Sequence, residues 1–302
     1  MTKASQAILE IGAVLTVGAL IIFIGVMTLL VLALRHRDAP DSPVNTHLWI
    51  IGGGVVFPVL VLSALMVYAT VRTNQLTTVP DVRNGLVIAV TAKSWWWEVR
   101  YRDPSSGREI VLANEIRIPT GRPLTLALTS SDVIHSFWVP ALGGKIDMLP
   151  GRIHHFHVEA SEPGVYRGQC AEYCGAQHAR MALHVVALEP EAFDRWLAEQ
   201  AKPASEPLEP LAREGKAAFL EHRCNACHTV RGIAGDSGLG PDLTHIGSRL
   251  FIGAGTLPTH RGTLAGWIAD TQGIKPGARM PSFDHLDGHS LNALAAFLGQ
   301  LQ

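Results

Sequence analysis

The sequence is short of charge, since only 17% of its 302 residues are Asp, Glu, Lys or Arg while 47% are hydrophobic. That balance is too apolar for an ordinary soluble protein. A mean hydropathy of +0.19 is nevertheless too low for a transporter with many membrane spans. The formal net charge of −1 provides no basic stripe, which argues against nucleic acid as a partner. A short membrane anchor that carries soluble domains fits this composition best.

Cysteine is also scarce, and the four cysteines fall into two close pairs, Cys170 with Cys174 and Cys224 with Cys227. Neither pair suits the disulfide framework of a small secreted domain, whereas both spacings suit metal or haem chemistry. A disulfide between Cys170 and Cys174 is the alternative for the first pair, because an oxidising compartment would allow it.

Two long apolar runs lie within residues 1–80, at about 8–34 and 48–71. Each exceeds the roughly 20 residues that a helix needs to span a bilayer. The first run is too long for the apolar core of a signal peptide, so we expect it to be retained. Residues 1–80 are therefore predicted to form a two-helix transmembrane hairpin.

Residues 81–200 change to short segments of β-branched and aromatic residues, which predict strands at 86–90, 95–101, 123–128 and 153–158. Turn residues such as Gly121 and Pro150 separate them, and this pattern indicates an all-β sandwich or barrel. A short helix at 190–197 is expected to close this domain.

A Pro-rich segment at 201–210 predicts an extended, semi-rigid linker. Beyond it, apolar residues recur with a spacing near 3.6 at 211–222, 263–272 and 290–301, which predicts helices. The region 211–302 is therefore expected to be an all-α domain.

The all-α region carries the pattern C-x-x-C-H, in which Cys224 and Cys227 would bind the haem vinyl groups and His228 would ligate the iron. The second axial ligand should lie well downstream. Met280 is the strongest candidate, because a thioether opposite histidine raises the reduction potential of an electron carrier. Three histidines are the alternatives: His245, His260 and His285.

A second cluster of ligands lies within twelve residues of the β region: Cys170, Glu172, Cys174, His178 and Met181. Thiolate, thioether and imidazole ligands select copper over harder cations. Two cysteines four residues apart would be able to bridge two copper ions, each of which needs a further strong ligand. His178 is one such ligand. His135 is the candidate for the other, in competition with His154, His155, His157 and His184.

The segments 132–136, 145–152 and 170–181 resemble the binuclear CuA domain of cytochrome c oxidase subunit II. The resemblance implies a cupredoxin-like Greek-key sandwich with Cys170 and Cys174 as bridging thiolates and His135 and His178 as terminal ligands. The Met181 thioether and the Glu172 carbonyl would be weak axial ligands. The Glu172 side chain would also reach a magnesium ion shared with subunit I.

Trp95, the first of three consecutive tryptophans, matches the position at which electrons reach the copper of such subunits. An ordinary strand core or a belt of aromatic residues at the membrane surface is the alternative explanation of this run.

Residues 208 to the end resemble a class I cytochrome c, on the attachment motif and on Gly240-Pro241-Asp242-Leu243. In that family the proline carbonyl holds the proximal histidine, which would be His228 here.

Together the resemblances imply a subunit II of a haem–copper oxidase with a fused cytochrome c domain. Electrons would pass from haem c to CuA and on to the haems of subunit I, where oxygen is reduced to water and protons are pumped. The expected partners are subunits I and III, cytochrome c or another membrane donor, and membrane lipid. Haem c is attached outside the bacterial inner membrane, so the N-terminus and both cofactor domains are expected on the periplasmic side.

Two alternatives remain at this point. One is a CuA and haem c electron-transfer subunit of a nitric oxide reductase, and the other is a membrane-anchored copper-delivery protein. The second would leave the haem motif without a role.

Overall fold

The computed structural model describes residues 3–35, 45–76, 85–235 and 237–302. Contacts between residues divide the chain into two units, one formed by the N-terminal helices and one by the remainder. The predicted boundary between residues 80 and 81 and the loop between the two apolar runs lie outside the described residues.

The N-terminal unit contains the two predicted apolar helices. The first, α1, spans Lys3–Arg35, and the second begins as a π-helical segment, Leu48–Val56, that continues as α2, Phe57–Leu76. Stretches of 31 and 27 residues with mean hydropathies of 2.9 and 2.5 are long and apolar enough to cross a membrane. An ion pair lies between the two helices, with Arg72 Nη2 2.8 Å from Glu10 Oε2.

Two five-stranded sheets form the predicted β domain. The first sheet contains β1 (Val87–Lys93), β2 (Trp96–Arg102), β3 (Glu109–Ala113), β5 (Leu124–Ser130) and β8 (His154–Val158), in the order β3-β2-β1-β5-β8. The second contains β4 (Glu115–Pro119), β6 (His135–Trp138), β7 (Ile146–Met148), β9 (Gly164–Cys170) and β10 (Ala182–Leu188), in the order β4-β10-β9-β6-β7. Parallel pairing of β1 with β5 and of β4 with β10 joins strands distant in sequence.

The two sheets enclose one apolar core, and alternation along the strands decides which side chains enter it. Ile88, Val90 and Ala92 of β1 are fully buried at every second position. Phe137 of β6 meets Trp97 of β2 in an edge-to-face contact with centroids 6.0 Å apart. A fully buried side chain of this size contributes about 1.5–3 kcal/mol. Because His135 lies two residues before Phe137, the same alternation turns it inward.

The closing helix is longer than predicted, since α3 spans Pro190–Ala201. It begins with proline at its first position, where the missing N–H costs nothing. Trp196 of this helix packs edge-on against Tyr101 of β2, with centroids 5.4 Å apart.

A second apolar core lies among four helices and a small hairpin at the C-terminal end. The helices are α4 (Pro210–Glu221), α5 (Arg261–Ala269), α6 (Thr271–Ile274) and α7 (Gly288–Gln300), and the hairpin strands are β11 (Phe251–Ile252) and β12 (Leu257–Pro258). Helices α4 and α7 cross so closely at Gly215 that an added Cβ would lie 1.9 Å from the Ala293 carbonyl oxygen. Only glycine allows this crossing.

The prediction of one helix over 263–272 is wrong. Asp270 ends α5 and begins α6, because its carboxylate accepts the Gly273 N–H at 2.9 Å and caps the second helix. The four strands predicted from sequence are present, and the described β domain has six further strands that were not predicted.

Candidate metal centres

The two cysteines of the first pair lie on the loop that joins β9 to β10. Cys170 is the last residue of β9, and the chain then turns so that Cys174 Sγ lies 3.8 Å from Cys170 Sγ. Both thiols are free, and the side chains are 3% and 5% exposed. The loop therefore presents two sulfur atoms side by side in a buried position, as a pair of bridging ligands requires.

Four further groups predicted as copper ligands converge on the two sulfur atoms. His135 Nδ1 lies 3.8 Å from Cys170 Sγ, and His178 Nδ1 lies 3.7 Å from Cys174 Sγ. The Met181 Sδ is 3.9 Å from Cys174 Sγ. The Glu172 carbonyl oxygen is 3.2 Å from Cys170 Sγ. Ligand atoms of His135, Cys170 and Cys174 all lie within 4.8 Å of one another, a spacing that a metal ion fits.

Asp132 holds the buried His135 ring in place. Its Oδ1 lies 2.8 Å from His135 Nε2, while its carboxylate accepts the Ser94 and Val133 N–H groups at 2.7 and 2.8 Å. Burial would raise the pKa of Asp132, but these hydrogen bonds outweigh it and keep that pKa below its ordinary value. With Nε2 donating to this carboxylate, His135 Nδ1 is left to bind a metal.

The two thiols influence each other's ionisation. The hydrogen bond between the two thiols lowers the pKa of Cys170, although burial acts in the opposite direction. The neighbouring thiolate in turn raises the pKa of Cys174. A cation bound between them would remove this repulsion and favour both thiolates, so the donor set fits copper.

The competing histidines have other contacts. His154 Nδ1 lies 2.6 Å from the Asp147 carbonyl, His157 Nδ1 lies 3.0 Å from Thr125 Oγ1, and His184 stacks on Phe251. His155 is exposed on β8. These placements leave His135 as the histidine that the structure brings to the cysteine pair from another strand.

The Glu172 side chain is 44% exposed, with Oε2 3.5 Å from Lys145 Nζ.

Trp95 lies directly against the copper loop. Its Nε1 donates to the Cys174 carbonyl at 2.8 Å, and its ring approaches Gly175 so closely that an added Cβ would lie 3.0 Å from Cζ2. The other two tryptophans of the run differ in their surroundings, since Trp97 is fully buried in the core and Trp96 packs under Lys93 Nζ at 4.9 Å.

The haem motif borders a cavity of about 480 Å³ with mainly apolar walls. Cys224, Cys227, His228 and Met280 all line it, and both thiols are free. Trp95 and Trp96 of the β domain also line this cavity. The size and the apolar lining are those of a site for a large planar ligand.

His228 is prepared to bind a metal. Its Nδ1 donates to the Pro241 carbonyl at 2.8 Å, as the resemblance implied, and this leaves Nε2 for the iron. Burial lowers the pKa of His228, which favours the neutral, ligating ring. Gly240 allows the close approach, because a Cβ there would lie 2.7 Å from His228 Cε1.

A buried cation also faces the cavity. Arg249 lines it and is 7% exposed, and its Nε has no hydrogen-bond partner among the described residues. An unpartnered guanidinium N–H beside the cavity fits the carboxylate edge of a haem. The residues present therefore fit the group that the motif implies.

None of the three alternative histidines is among the residues that line the cavity in the described chain. His245 Nε2 lies 3.1 Å from the Lys202 carbonyl, His260 caps α5, and the His285 ring packs beside Phe283. Met280 is thus the predicted second ligand that the structure places at the cavity.

Comparison with known proteins assigns both regions. Residues 90–188 match the family described as cytochrome c oxidase subunit II, periplasmic domain, and residues 212–302 match the family described as cytochrome c. Cytochrome c oxidase subunit 2 of Bacillus sp. (strain PS3) is 32% identical over 265 residues, which cover 82% of this chain and 72% of that protein. The chain belongs to the cytochrome c oxidase subunit 2 family.

Another member of the subunit 2 family, from Alkalihalophilus pseudofirmus, is 39% identical over 224 residues. The match covers 74% of this chain and 64% of that relative, so the chain spans just under two thirds of the relative's length. The periplasmic domain of subunit II of cytochrome oxidase from Bradyrhizobium japonicum is 33% identical, with a TM-score of 0.36 over 39% of this chain and 94% of that domain.

Membership of the subunit 2 family implies copper in the β domain, and the cytochrome c match implies haem c in the helical domain. The two apolar helices and a periplasmic domain fit a membrane protein whose cofactor domains lie outside the membrane. Sequence reasoning did not identify Asp132 as the residue that orients His135. The spacing of three residues between an acid and a histidine was the available signal.

Proposed function

We propose that this chain is the electron-accepting subunit of a haem–copper oxidase and that electrons pass from haem c to a binuclear copper site. The observation that carries the proposal is the position of Trp95. Its ring borders the cavity of the haem motif, and its Nε1 donates to the Cys174 carbonyl on the copper loop. One side chain therefore contacts the surroundings of both cofactors.

The bound cofactors supply the chemistry, which is the gain and loss of single electrons. Cys170 and Cys174 are proposed as bridging thiolates between two copper ions, with His135 and His178 as terminal ligands and with Met181 and the Glu172 carbonyl as weak ligands. Cys224 and Cys227 would attach the haem, and His228 and Met280 would ligate its iron. These roles agree with the distances between the sulfur, nitrogen and oxygen atoms given above.

The enclosure of the sites supports electron transfer over metal delivery. His135 is fully buried, and both cysteines are at most 5% exposed. Buried ligands held by a residue such as Asp132 keep one geometry, and a fixed ligand set changes little when an electron arrives. A delivery protein would instead need accessible ligands, and it would leave the haem motif unexplained.

Electrons would leave the copper site for the haems of subunit I, where oxygen is reduced to water and protons are pumped. Subunit III, a magnesium ion at Glu172 shared with subunit I, surrounding lipid and an external donor such as cytochrome c complete the proposed assembly. The complex is placed in the bacterial inner membrane with the cofactor domains on the periplasmic side. The relatives carry the oxidase name, and nothing in them favours the nitric oxide reductase alternative.

The proposal is tested by purifying the full-length chain in mild detergent with whatever subunits accompany it. Copurification of a subunit with haem and copper, together with oxygen uptake supported by reduced cytochrome c, is the expected result. A complex that consumes nitric oxide and leaves oxygen untouched contradicts the proposal.

A further inference from the structure

Lys275 is a buried lysine that follows α6 in the haem-binding region and is only 3% exposed. Its ammonium group donates three hydrogen bonds, to the Trp95 carbonyl at 2.8 Å, the Arg180 carbonyl at 2.8 Å and the Gly253 carbonyl at 3.1 Å. An ammonium group has three N–H donors, so every donor of Lys275 is used. All three acceptors are backbone atoms, which cannot swing away as side chains do.

The three acceptors belong to both cofactor regions. Trp95 contacts the copper loop, and Arg180 lies on that loop between His178 and Met181. Gly253 lies in the turn of the β11–β12 hairpin and lines the haem cavity. A single side chain from the haem region thus joins the rim of its cavity to the backbone of Trp95 and of the copper loop.

This arrangement is costly for the protein. Lysine is almost never fully buried without a paired acid, and none of the ion pairs in the described part of the chain involves Lys275. Burial lowers the pKa of Lys275 to about 7, opposed in part by the charge of Cys174. The three hydrogen bonds offset the loss of hydration, and two of them exist only while the regions are docked.

Other contacts hold the same interface without Lys275. Gln177 Nε2 donates to the Pro276 carbonyl at 2.7 Å, and the Ala182 N–H donates to the Ala254 carbonyl at 3.0 Å. The Leu250 N–H donates to Glu115 Oε2 at 2.8 Å. Replacement of Lys275 should therefore loosen the position of the cavity rim and leave both regions folded.

We propose that Lys275 is a positioning residue that fixes the haem cavity against Trp95 and the copper loop. The inference rests on the electron transfer proposed above, in which the haem iron goes from ferrous to ferric as the copper site gains one electron. The rate of such a step falls steeply with distance.

The test compares Lys275→Met with Lys216→Met in the purified full-length oxidase. Lys216 lies on α4 of the same domain and pairs with Glu206 at 2.6 Å. Its replacement therefore also removes one lysine, but at a position that is not part of the interface. Haem c is reduced by a light pulse, and its reoxidation is followed together with reduction of the copper site. Lys275→Met is expected to slow this transfer several-fold with the haem and copper spectra unchanged. Lys216→Met should behave as the native protein. A Lys275→Met rate within about twofold of the native rate overturns the inference.

Amide hydrogen exchange gives a second readout that does not depend on electron transfer. The Ala182 and Leu250 N–H groups bond across the interface, so their protection is expected to fall in Lys275→Met and to stay native in Lys216→Met. Unchanged protection overturns the role of Lys275.

If the native protein shows no electron transfer from haem c to the copper site, the proposed function is overturned. Amide hydrogen exchange at Ala182 and Leu250 then still tests whether Lys275 holds the interface. If Lys275→Met does not accumulate, Lys275→Gln keeps N–H donors without the charge. Its electron-transfer rate and its amide protection are expected to lie between the native values and the values of a protein that lacks all three hydrogen bonds. Native values for Lys275→Gln overturn the inference.

Discussion

The indole Nε1 of Trp95 donates a hydrogen bond of 2.8 Å to the carbonyl oxygen of Cys174. The bond joins a residue that precedes β2 to the middle of the loop between β9 and β10. The same ring borders the haem cavity, so Trp95 connects the surroundings of the two proposed cofactors.

Replacement of Trp95 by Phe removes the hydrogen bond and shortens the aromatic side chain. We expect haem-to-copper electron transfer to slow several-fold, because the rate falls steeply as the packing between the two cofactor surroundings loosens. Flash photolysis of the purified complex measures this rate. Trp96→Phe is the matched control, because Trp96 borders the same cavity without the bond to Cys174, and equal rates in the two variants would argue against a special role for Trp95.

Asp132→Asn tests the orientation of His135. An amide at this position carries no charge and is a weaker acceptor for the His135 N–H and for the two backbone N–H groups. Loss of such a supporting partner typically lowers metal affinity about 10- to 100-fold, and competition with a copper chelator measures this. Asp147→Asn is the control, as Asp147 is exposed and pairs with Lys145 at 3.4 Å. Copper affinity of Asp132→Asn equal to that of the control would speak against this role.

Met280→Ala removes the proposed thioether ligand of the haem iron. Because a methionine ligand raises the reduction potential, we expect the haem potential to fall. The expected fall is about 0.1 to 0.3 V, within the range of about 0.8 V over which axial ligands set the potential. Potentiometric titration followed by visible spectroscopy gives the value. His285→Ala should leave the potential native. The assignment fails if Met280→Ala keeps the native potential and His285→Ala lowers it.

Gly215→Ala tests the close crossing of α4 and α7. An added Cβ would meet the Ala293 carbonyl at 1.9 Å, so the helices must separate, and overpacking of this kind costs about 1–3 kcal/mol. Gly266→Ala on α5 is the control, because nothing lies within 4 Å of its added Cβ. That substitution should raise the free energy of unfolding by about 0.4–1 kcal/mol. Urea unfolding monitored by haem absorbance separates the two outcomes, and equal stabilities of the variants would contradict the packing argument.

Sequence reasoning succeeded where the informative residues are close together in the chain. The copper loop and the C-x-x-C-H motif each carry several ligands within twelve residues, so spacing alone indicates their chemistry. His135 lies 35 residues before Cys170, and only the resemblance distinguished it from four other histidines. Its approach to the cysteines depends on the pairing of β6 with β9, which no local pattern specifies.

Short strands and long-range polar contacts were beyond sequence reasoning. β7 has three residues, too few for alternation to be recognised, and β6 has four. Lys275 offered no signal at all, because its acceptors at residues 95, 180 and 253 come together only when the two cofactor regions dock. A lone lysine near a helix end is otherwise expected on the surface.

The central claim is that one chain holds haem c and a binuclear copper site and passes electrons from the first to the second. The most direct measurement is a one-electron photoreduction of haem c in the purified oxidase under anaerobic conditions, followed by optical and paramagnetic resonance detection. Haem c should be reoxidised at the rate at which a resonance signal shared between two copper nuclei disappears. Reoxidation of haem c with that copper signal unchanged, or a signal from a single copper ion, would contradict the account.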